Sequence, residues 1–154
     1  MTEDQTLLQD AAERYLRGSY DFNQRRERIA EGVYSDPNQW QAFAEMGWLA
    51  LPVAEEFGGL GMGTREMAIL AELCGQFLVT EPLIDALTST HAIIGVSQQQ
   101  ESLLPRVAAG KLIPVAAIDE AETPSRLSPA TTLTQTDGGW HLSGAKHWIS
   151  AGAS

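Results

Sequence analysis

Apolar residues recur at helical spacing through roughly the first two-thirds of the chain. The first such stripe consists of Leu7, Leu8, Ala11, Ala12, Tyr15 and Leu16, and this period of three to four residues predicts an amphipathic helix. Thr2 and Gln5 form a capping-box pattern ahead of it. Ser35-Asp36-Pro37 predicts the start of another helix, and Gly47 predicts its end.

Further helices are predicted beyond a glycine-rich stretch. Thr64 is the expected cap of a helix, and Pro82 is the expected start of the next one. The apolar face of the Thr64 helix is expected to comprise Met67, Leu70, Ala71, Cys74, Phe77 and Leu78. The glycine run 57–63 matches no phosphate-binding pattern. It therefore predicts a loop in which the backbone turns sharply or approaches another group closely.

The pattern changes period after Lys111. Residues 112–118 are a continuous apolar run that predicts a buried strand, and residues 131–136 are extended and β-branched. Asp137-Gly138 between two such runs indicates a tight hairpin. Helices followed by strands indicate an α+β fold, with a boundary near residue 112.

Composition narrows the function classes for this chain of 154 residues. A formal net charge of −10 argues against nucleic acids and anionic membrane surfaces as partners, since both are bound by basic patches. No apolar run reaches membrane-spanning length. Cys74 is the one cysteine and the N-terminus is acidic, which favours a cytoplasmic protein. The three histidines are scattered without metal-ligand spacing, so no metal is expected.

The segment 144–150 contains the strongest candidate chemistry. Its last three residues are Trp148, Ile149 and Ser150. An aromatic ring can lie against a flat conjugated ligand, and a hydroxyl beside it can bond a ring heteroatom. The alternative is an ordinary amphipathic strand with a buried tryptophan.

Three ordered motifs resemble the acyl-CoA dehydrogenase family. The segment 144–150 is similar to its flavin-facing pattern G-x-K-x-W-I-T/S, and the stretches 51–61 and 103–111 fit at the expected order and spacing. The resemblance covers nearly the whole chain. It implies an N-terminal helical domain at residues 1–111, followed at residues 112–154 by the first strands of an incomplete β-barrel domain.

The resemblance also implies FAD as cofactor, with Trp148 near the flavin ring, Ser150 close to N5 and the Ile149 backbone at the ring edge. The second flavin strand departs from the family pattern V-T-E-P-x-x-G-S-D, because residues 118–126 read I-D-E-A-E-T-P-S-R. Ile118 and Asp119 are the cofactor-binding candidates there, and Asp119 stands where a flavin-bonding threonine is expected. Ser125 retains a serine that contacts the acyl-CoA substrate, and a plain surface loop explains this stretch almost as well as a site does.

The implied reaction is α,β-dehydrogenation of an acyl-CoA thioester, in fatty acid or steroid degradation, with electron-transfer flavoprotein as acceptor. The chain ends at Ser154, and the family's catalytic glutamate belongs to a later part. We therefore expect no catalytic base here and no turnover by this chain alone. The expected assembly is a homo- or hetero-oligomer, since the altered second strand resembles small subunits of heteromeric, pimeloyl-CoA-type enzymes. The alternatives are a non-catalytic partner subunit that shapes a catalytic neighbour's site, and an oxidase or monooxygenase on the same fold.

Overall fold

The computed structural model describes residues 1–96, 98–121 and 128–150. These form an α+β fold, as the pattern and the resemblance predict, with helices first and strands last. In chain order the elements are α1 Glu3–Ser19, α2 Phe22–Ala30, α3 Pro37–Glu45, a 3₁₀ turn Glu55–Phe57, α4 Thr64–Gln76, α5 Leu83–Gly95, α6 Gln100–Ala108, β1 Thr132–Thr136 and β2 Gly139–Ser143. The chain divides into two compact units, Met1–Pro114 and Val115–Ser154.

Local capping determines where the first helices begin. The Thr2 hydroxyl accepts from the Gln5 N–H, and the Gln5 side chain accepts from the Thr2 N–H at 3.0 Å, which confirms the predicted capping box. Asp36 caps α3 ahead of Pro37, as predicted. Two other predicted helix starts are wrong by one residue, late for α4 and early for α5. Thr64 is the first residue of α4 rather than its cap, and Pro82 precedes α5.

The core of the helical unit contains a cluster of four aromatic rings. Phe43 and Trp48 stack with ring centroids 4.8 Å apart, and Tyr15 meets Trp48 edge-on at 5.8 Å. Tyr20 lies parallel to Phe43 at 6.4 Å. Such pairs contribute about 0.5–1.5 kcal/mol each beyond the area they bury. This cluster joins α1 and α3 to the connector that follows α3.

The predicted stripes are wider than the faces that neighbouring helices cover. On α1, Leu7 is 61% exposed and Ala11 is also exposed, while Ala12 and Leu16 are fully buried. On α4 the buried residues include Leu73, whereas Leu78 lies beyond the end of the helix and is 46% exposed. Period alone marks a helix face, and packing selects which part of it is buried.

The glycine loop crosses the buried connector at close range, as predicted. The N–H groups of Gly61 and Met62 donate to the Val53 and Leu51 carbonyls, both at 2.7 Å. A Cβ added at Gly59 would lie 1.9 Å from the Val53 carbonyl oxygen. No side chain fits there, so this glycine is required by a close backbone approach.

A polar cluster is buried where α1 ends and α3 begins. The Tyr20 hydroxyl donates to one carboxyl oxygen of Glu81, and the Asp36 N–H donates to the other at 3.0 Å. Both Tyr20 and Glu81 are less than 8% exposed. Burial and the adjacent Glu81 carboxyl raise the pKa of Tyr20 far above its ordinary value. Glu81 therefore links three segments through one buried and one half-buried hydrogen bond.

The second unit contains an antiparallel hairpin, as Asp137-Gly138 predicts. Its register pairs Thr132 with Ser143 and Thr136 with Gly139. All ten strand residues are exposed. The predicted strand at residues 112–118 is wrong: the segment is irregular, and Ile118 is 51% exposed. A strand needs a partner for its backbone groups, and no described residue pairs with this run.

Candidate functional site

The structure brings together two candidate segments that the sequence places about 30 residues apart. The first candidate segment is Ile118–Asp119, and the second is Trp148–Ser150. The His147 N–H donates to the Asp119 carbonyl at 2.8 Å. The Lys146 ammonium donates to the Ile118 carbonyl at 3.2 Å. These two bonds hold the first segment beside the residues that lead into the second.

Glu120 stands at the centre of this junction. One carboxyl oxygen accepts from the Ala130 N–H at 2.6 Å, and the other accepts from the Thr131 N–H at 3.1 Å and from the Thr131 hydroxyl. The Lys146 ammonium lies 2.7 Å from the second oxygen. The Glu120 side chain is only 6% exposed. Four donors therefore surround one carboxylate.

The donors around Glu120 change its protonation. The Lys146 ammonium, followed by the Thr131 hydroxyl and the Ala130 N–H, lowers the pKa of Glu120 to about 2. Glu120 is therefore ionised at neutral pH and is fully engaged with groups of its own chain. This makes it a poor general base, since a base must be able to accept a proton near the working pH.

Gly144 lets the chain pass close to Thr131. A Cβ at this position would lie 2.4 Å from the Thr131 hydroxyl oxygen and 2.8 Å from its Cα. The glycine and the lysine of the 144–150 motif thus both act on the Glu120 junction. Sequence reasoning missed Glu120, Thr131 and Lys146 as site-supporting residues. The one sequence signal for this junction was the opposite charge of Glu120 and Lys146, one in each motif segment.

The second candidate segment presents its side chains outward. Trp148 is 89% exposed and has a φ of 54°, an uncommon backbone conformation for a residue with a side chain. Ser150 is exposed and Ile149 is half-buried. The alternative of an amphipathic strand with a buried tryptophan is therefore wrong for this segment. An exposed aromatic ring and an exposed hydroxyl therefore stand two residues apart in the chain.

These groups fit the chemistry of a flavin. In the part of the chain that the structure describes, the N–H groups of residues 148–150 donate to no protein acceptor. Backbone donors beside an exposed indole suit a flat ring edged with nitrogen and oxygen acceptors. Asp119 contributes a carboxylate instead of the expected threonine hydroxyl, and its carbonyl is engaged with His147. Ser125, the substrate-binding candidate, lies outside the described residues.

The same described residues contain neither a metal-binding cluster nor a membrane-spanning helix. No group of three or more His, Cys, Asp or Glu side chains there is arranged to hold a metal ion. None of the described helices has both the length and the apolarity that a bilayer crossing requires.

Comparison with protein families gives a match over most of the chain. The model of the acyl-CoA dehydrogenase N-terminal domain matches residues 2–111. Among curated proteins, (2S)-methylsuccinyl-CoA dehydrogenase of Cereibacter sphaeroides is 30% identical over 118 residues, covering 73% of this chain and 22% of that protein. Acyl-CoA dehydrogenase FadE12 of Mycobacterium tuberculosis is 31% identical over 116 residues, covering 72% of this chain and 30% of that protein. The chain thus spans well under half the length of these relatives.

Solved structures share the fold. The Tcur3481-Tcur3483 steroid ACAD G363A variant superimposes with a TM-score of 0.86 at 27% identity, covering 96% of this chain and 41% of that chain. An acyl-CoA dehydrogenase complexed with FAD from Bacillus anthracis gives 0.81 at 21% identity, covering 97% and 27%. The ChsE4-ChsE5 complex from Mycobacterium tuberculosis gives 0.81 at 19%, covering 97% and 41%. By its helical unit, its hairpin and the family match over residues 2–111, the chain belongs to the acyl-CoA dehydrogenase family.

Proposed function

We propose that this chain contributes part of the FAD site of an acyl-CoA dehydrogenase acting on an acyl-CoA thioester. The observation that carries the proposal is that Lys146 and His147, directly before the exposed Trp148, are hydrogen-bonded to the carbonyls of Ile118 and Asp119. We also propose the domain organisation of residues 1–111 as the helical domain and residues 112–154 as the beginning of the β-domain.

Each proposed site residue has a distinct part in holding the cofactor. The Trp148 indole would cover a face of the ring, and the Ser150 hydroxyl would donate to a ring nitrogen. The Ile149 backbone would form a hydrogen bond to the ring edge, and Ile118 and Asp119 would supply further contacts to the cofactor. When bound, FAD supplies the acceptor for the hydride that leaves the thioester β-carbon. Ser125 is the proposed contact to the acyl-CoA.

No residue of this chain is assigned as the base that removes the α-proton. Glu120 is occupied by Lys146 and by the donors around residue 130. We therefore propose that the chain by itself holds FAD without dehydrogenase turnover, and that the base comes from outside these residues. Electron-transfer flavoprotein is the proposed acceptor of the electrons, and a cytoplasmic location is proposed from the lone Cys74.

Assembly with other acyl-CoA dehydrogenase subunits is also part of the proposal. The hairpin exposes Leu133, Trp140 and Leu142, each at least 60%. An uncovered apolar strand face favours association. The likeness to the Tcur3481-Tcur3483 steroid enzyme and to the ChsE4-ChsE5 complex supports a heteromeric arrangement, and the first also supports a ring-bearing acyl group.

The test is a titration of the purified chain with FAD. We expect saturable binding, measured by quenching of tryptophan fluorescence and by the flavin absorbance at about 450 nm. We also expect no turnover of medium-chain, dicarboxylic or steroid acyl-CoA esters with an artificial electron acceptor. Turnover above background would refute the assignment of the base to another segment.

The second candidate function is a non-catalytic subunit that shapes a partner's site. Asp119, in place of a hydroxyl donor, favours it, because an ionised carboxylate cannot donate to a flavin acceptor. Failure to bind FAD at any tested concentration would contradict the first proposal and favour this one. Rapid oxygen reactivity of the reduced flavin would instead indicate an oxidase or monooxygenase.

A further inference from the structure

The Glu120–Lys146 pair joins segments that no strand ladder joins. Residues 118–120 and 144–150 are irregular, and one backbone hydrogen bond, from the His147 N–H to the Asp119 carbonyl, links them among the described residues. In a sheet, successive backbone bonds fix the register of two segments. Between these two segments, the side-chain bonds of Lys146 and Glu120 must therefore fix most of the relative position.

Lys146 is placed to fix the spacing of both candidate segments. Its ammonium reaches the Ile118 carbonyl at 3.2 Å and the Glu120 carboxylate at 2.7 Å. It lies two residues before Trp148, and Glu120 lies directly after Asp119. The pair thus contacts the first candidate segment directly and lies close in the chain to the second.

The carboxylate adds a link to the hairpin. Glu120 accepts from Ala130 and Thr131, which lead into β1. Thr131 in turn lies against Gly144, which follows β2, so closely that a Cβ would not fit. The half-buried Glu120 carboxylate therefore connects the first candidate segment to the start of the hairpin, and through Thr131 to the residue that follows its end. A charge-assisted bond is stronger and more directional than a neutral one, which suits a positioning role.

We infer that Glu120 and Lys146 are positioning residues that set the spacing between Ile118–Asp119 and Trp148–Ser150, and that FAD affinity depends on this pair without contact to it. The inference rests on the proposed function. A merely stabilising ion pair would lower the melting temperature when removed but would leave the spacing of the two segments unchanged.

The experiment compares four variants of the full chain. Lys146→Met removes the charge and keeps the aliphatic stem, while Lys146→Arg keeps the charge. Lys111→Met is the matched control, because Lys111 is the one other lysine and is exposed in the helical unit. The fourth is the charge-swapped Glu120→Lys/Lys146→Glu double variant.

Two readouts are measured on each variant. Hydrogen exchange of the His147 amide reports the spacing in the absence of FAD, because that amide donates to Asp119. Exchange of the β1 and β2 amides reports whether the hairpin itself is intact. Titration with FAD then gives the dissociation constant.

Lys146→Met should expose the His147 amide and weaken FAD binding, each by about tenfold or more, as expected for loss of a charge-assisted bond. Lys146→Arg should stay within about threefold of the wild type, and Lys111→Met should be unchanged. The charge-swapped variant should not recover, because a lysine at position 120 cannot accept from Ala130 and Thr131.

The outcomes separate the inference from the proposed function. If the wild-type chain binds no FAD, the proposed function fails, and the His147 amide alone still decides whether the pair sets the spacing. Unchanged His147 exchange in Lys146→Met, or unchanged FAD affinity despite faster exchange, would each overturn the inference. Recovery by the charge-swapped variant would support the pairing and overturn only the link from Glu120 to Ala130 and Thr131.

Discussion

Removal of one hydroxyl, in Tyr20→Phe, tests the buried polar cluster of the helical unit. The Tyr20 hydroxyl donates to Glu81, whose other oxygen accepts from the Asp36 N–H at 3.0 Å. Tyr20 is 7% exposed and Glu81 is 5% exposed. Phenylalanine keeps the ring in its stack on Phe43 and deletes only the donor. The substitution therefore isolates the hydrogen bond from the packing.

The expected cost follows from this burial. A buried acceptor that loses its partner costs about 1–3 kcal/mol, because water cannot replace the donor. We expect the free energy of unfolding to fall by about 2 kcal/mol. For a chain of this size, the melting temperature should fall by about 4–8 °C.

The assay is urea and thermal unfolding followed by far-UV circular dichroism. Tyr34→Phe is the matched control, since Tyr34 is 67% exposed and should change stability by less than about 0.5 kcal/mol. A cycle with Glu81→Gln measures the coupling between the two side chains. Equal effects of Tyr20→Phe and Tyr34→Phe would refute the reasoning.

Alkaline pH gives an independent check of the same cluster. Burial raises the pKa of Tyr20 above its ordinary value, whereas tyrosine in the unfolded chain has a pKa of about 10. The stabilisation is thus fully present below that pH and is lost as the pH rises above it, because only the unfolded state releases the proton. Tyr20→Phe should lack this component of the alkaline destabilisation, and Tyr34→Phe should keep it.

Three further predictions concern the glycine loop, the Glu120 junction and the tryptophans. Gly59→Ala should lower the free energy of unfolding by about 1–3 kcal/mol or more, because the added Cβ clashes with Val53. Gly75→Ala is the control: its Cβ would lie in open space on α4, so the free energy of unfolding should rise by about 0.5–1 kcal/mol. Chemical denaturation measures both values. Because the pKa of Glu120 is lowered to about 2, the stability that its ionised carboxylate provides should be lost as the pH falls from about 4.5 towards 2. The Glu120→Gln variant should lack this pH dependence in the hydrogen exchange of His147, and the same pH profile in variant and wild type would contradict the prediction. Trp148→Ala should reduce FAD retention on gel filtration with little change in melting temperature. Trp40 is a buried residue of α3, so Trp40→Ala should instead lower the free energy of unfolding by about 3–5 kcal/mol; equal flavin loss from both would count against the site.

The sequence by itself determined the features whose causes lie within a few residues. Asp36-Pro37 starts α3, because the cap and the fixed proline φ act on the next turn. Asp137-Gly138 closes the hairpin for a similar local reason. The family resemblance, together with these elements, was enough to predict the α+β order of the chain.

Burial was decided by the tertiary structure. Residues 112–118 have the composition of a buried strand, yet no described segment pairs with them and Ile118 is exposed. Leu7 and Leu78 belong to apolar stripes that their neighbours do not cover. An apolar side chain contributes to stability only where another element removes it from water, and no local pattern specifies that element.

The candidate site divides in the same way. The motif pattern predicted Trp148 and Ser150, because an aromatic ring and a hydroxyl can be identified from residue type alone. The Glu120–Lys146 pair joins positions 26 residues apart, and Thr131 completes it only because Gly144 allows the chain to pass close. Charge and hydrogen-bond partners depend on distance in space, so only the folded chain could show which carboxylate the motif lysine holds.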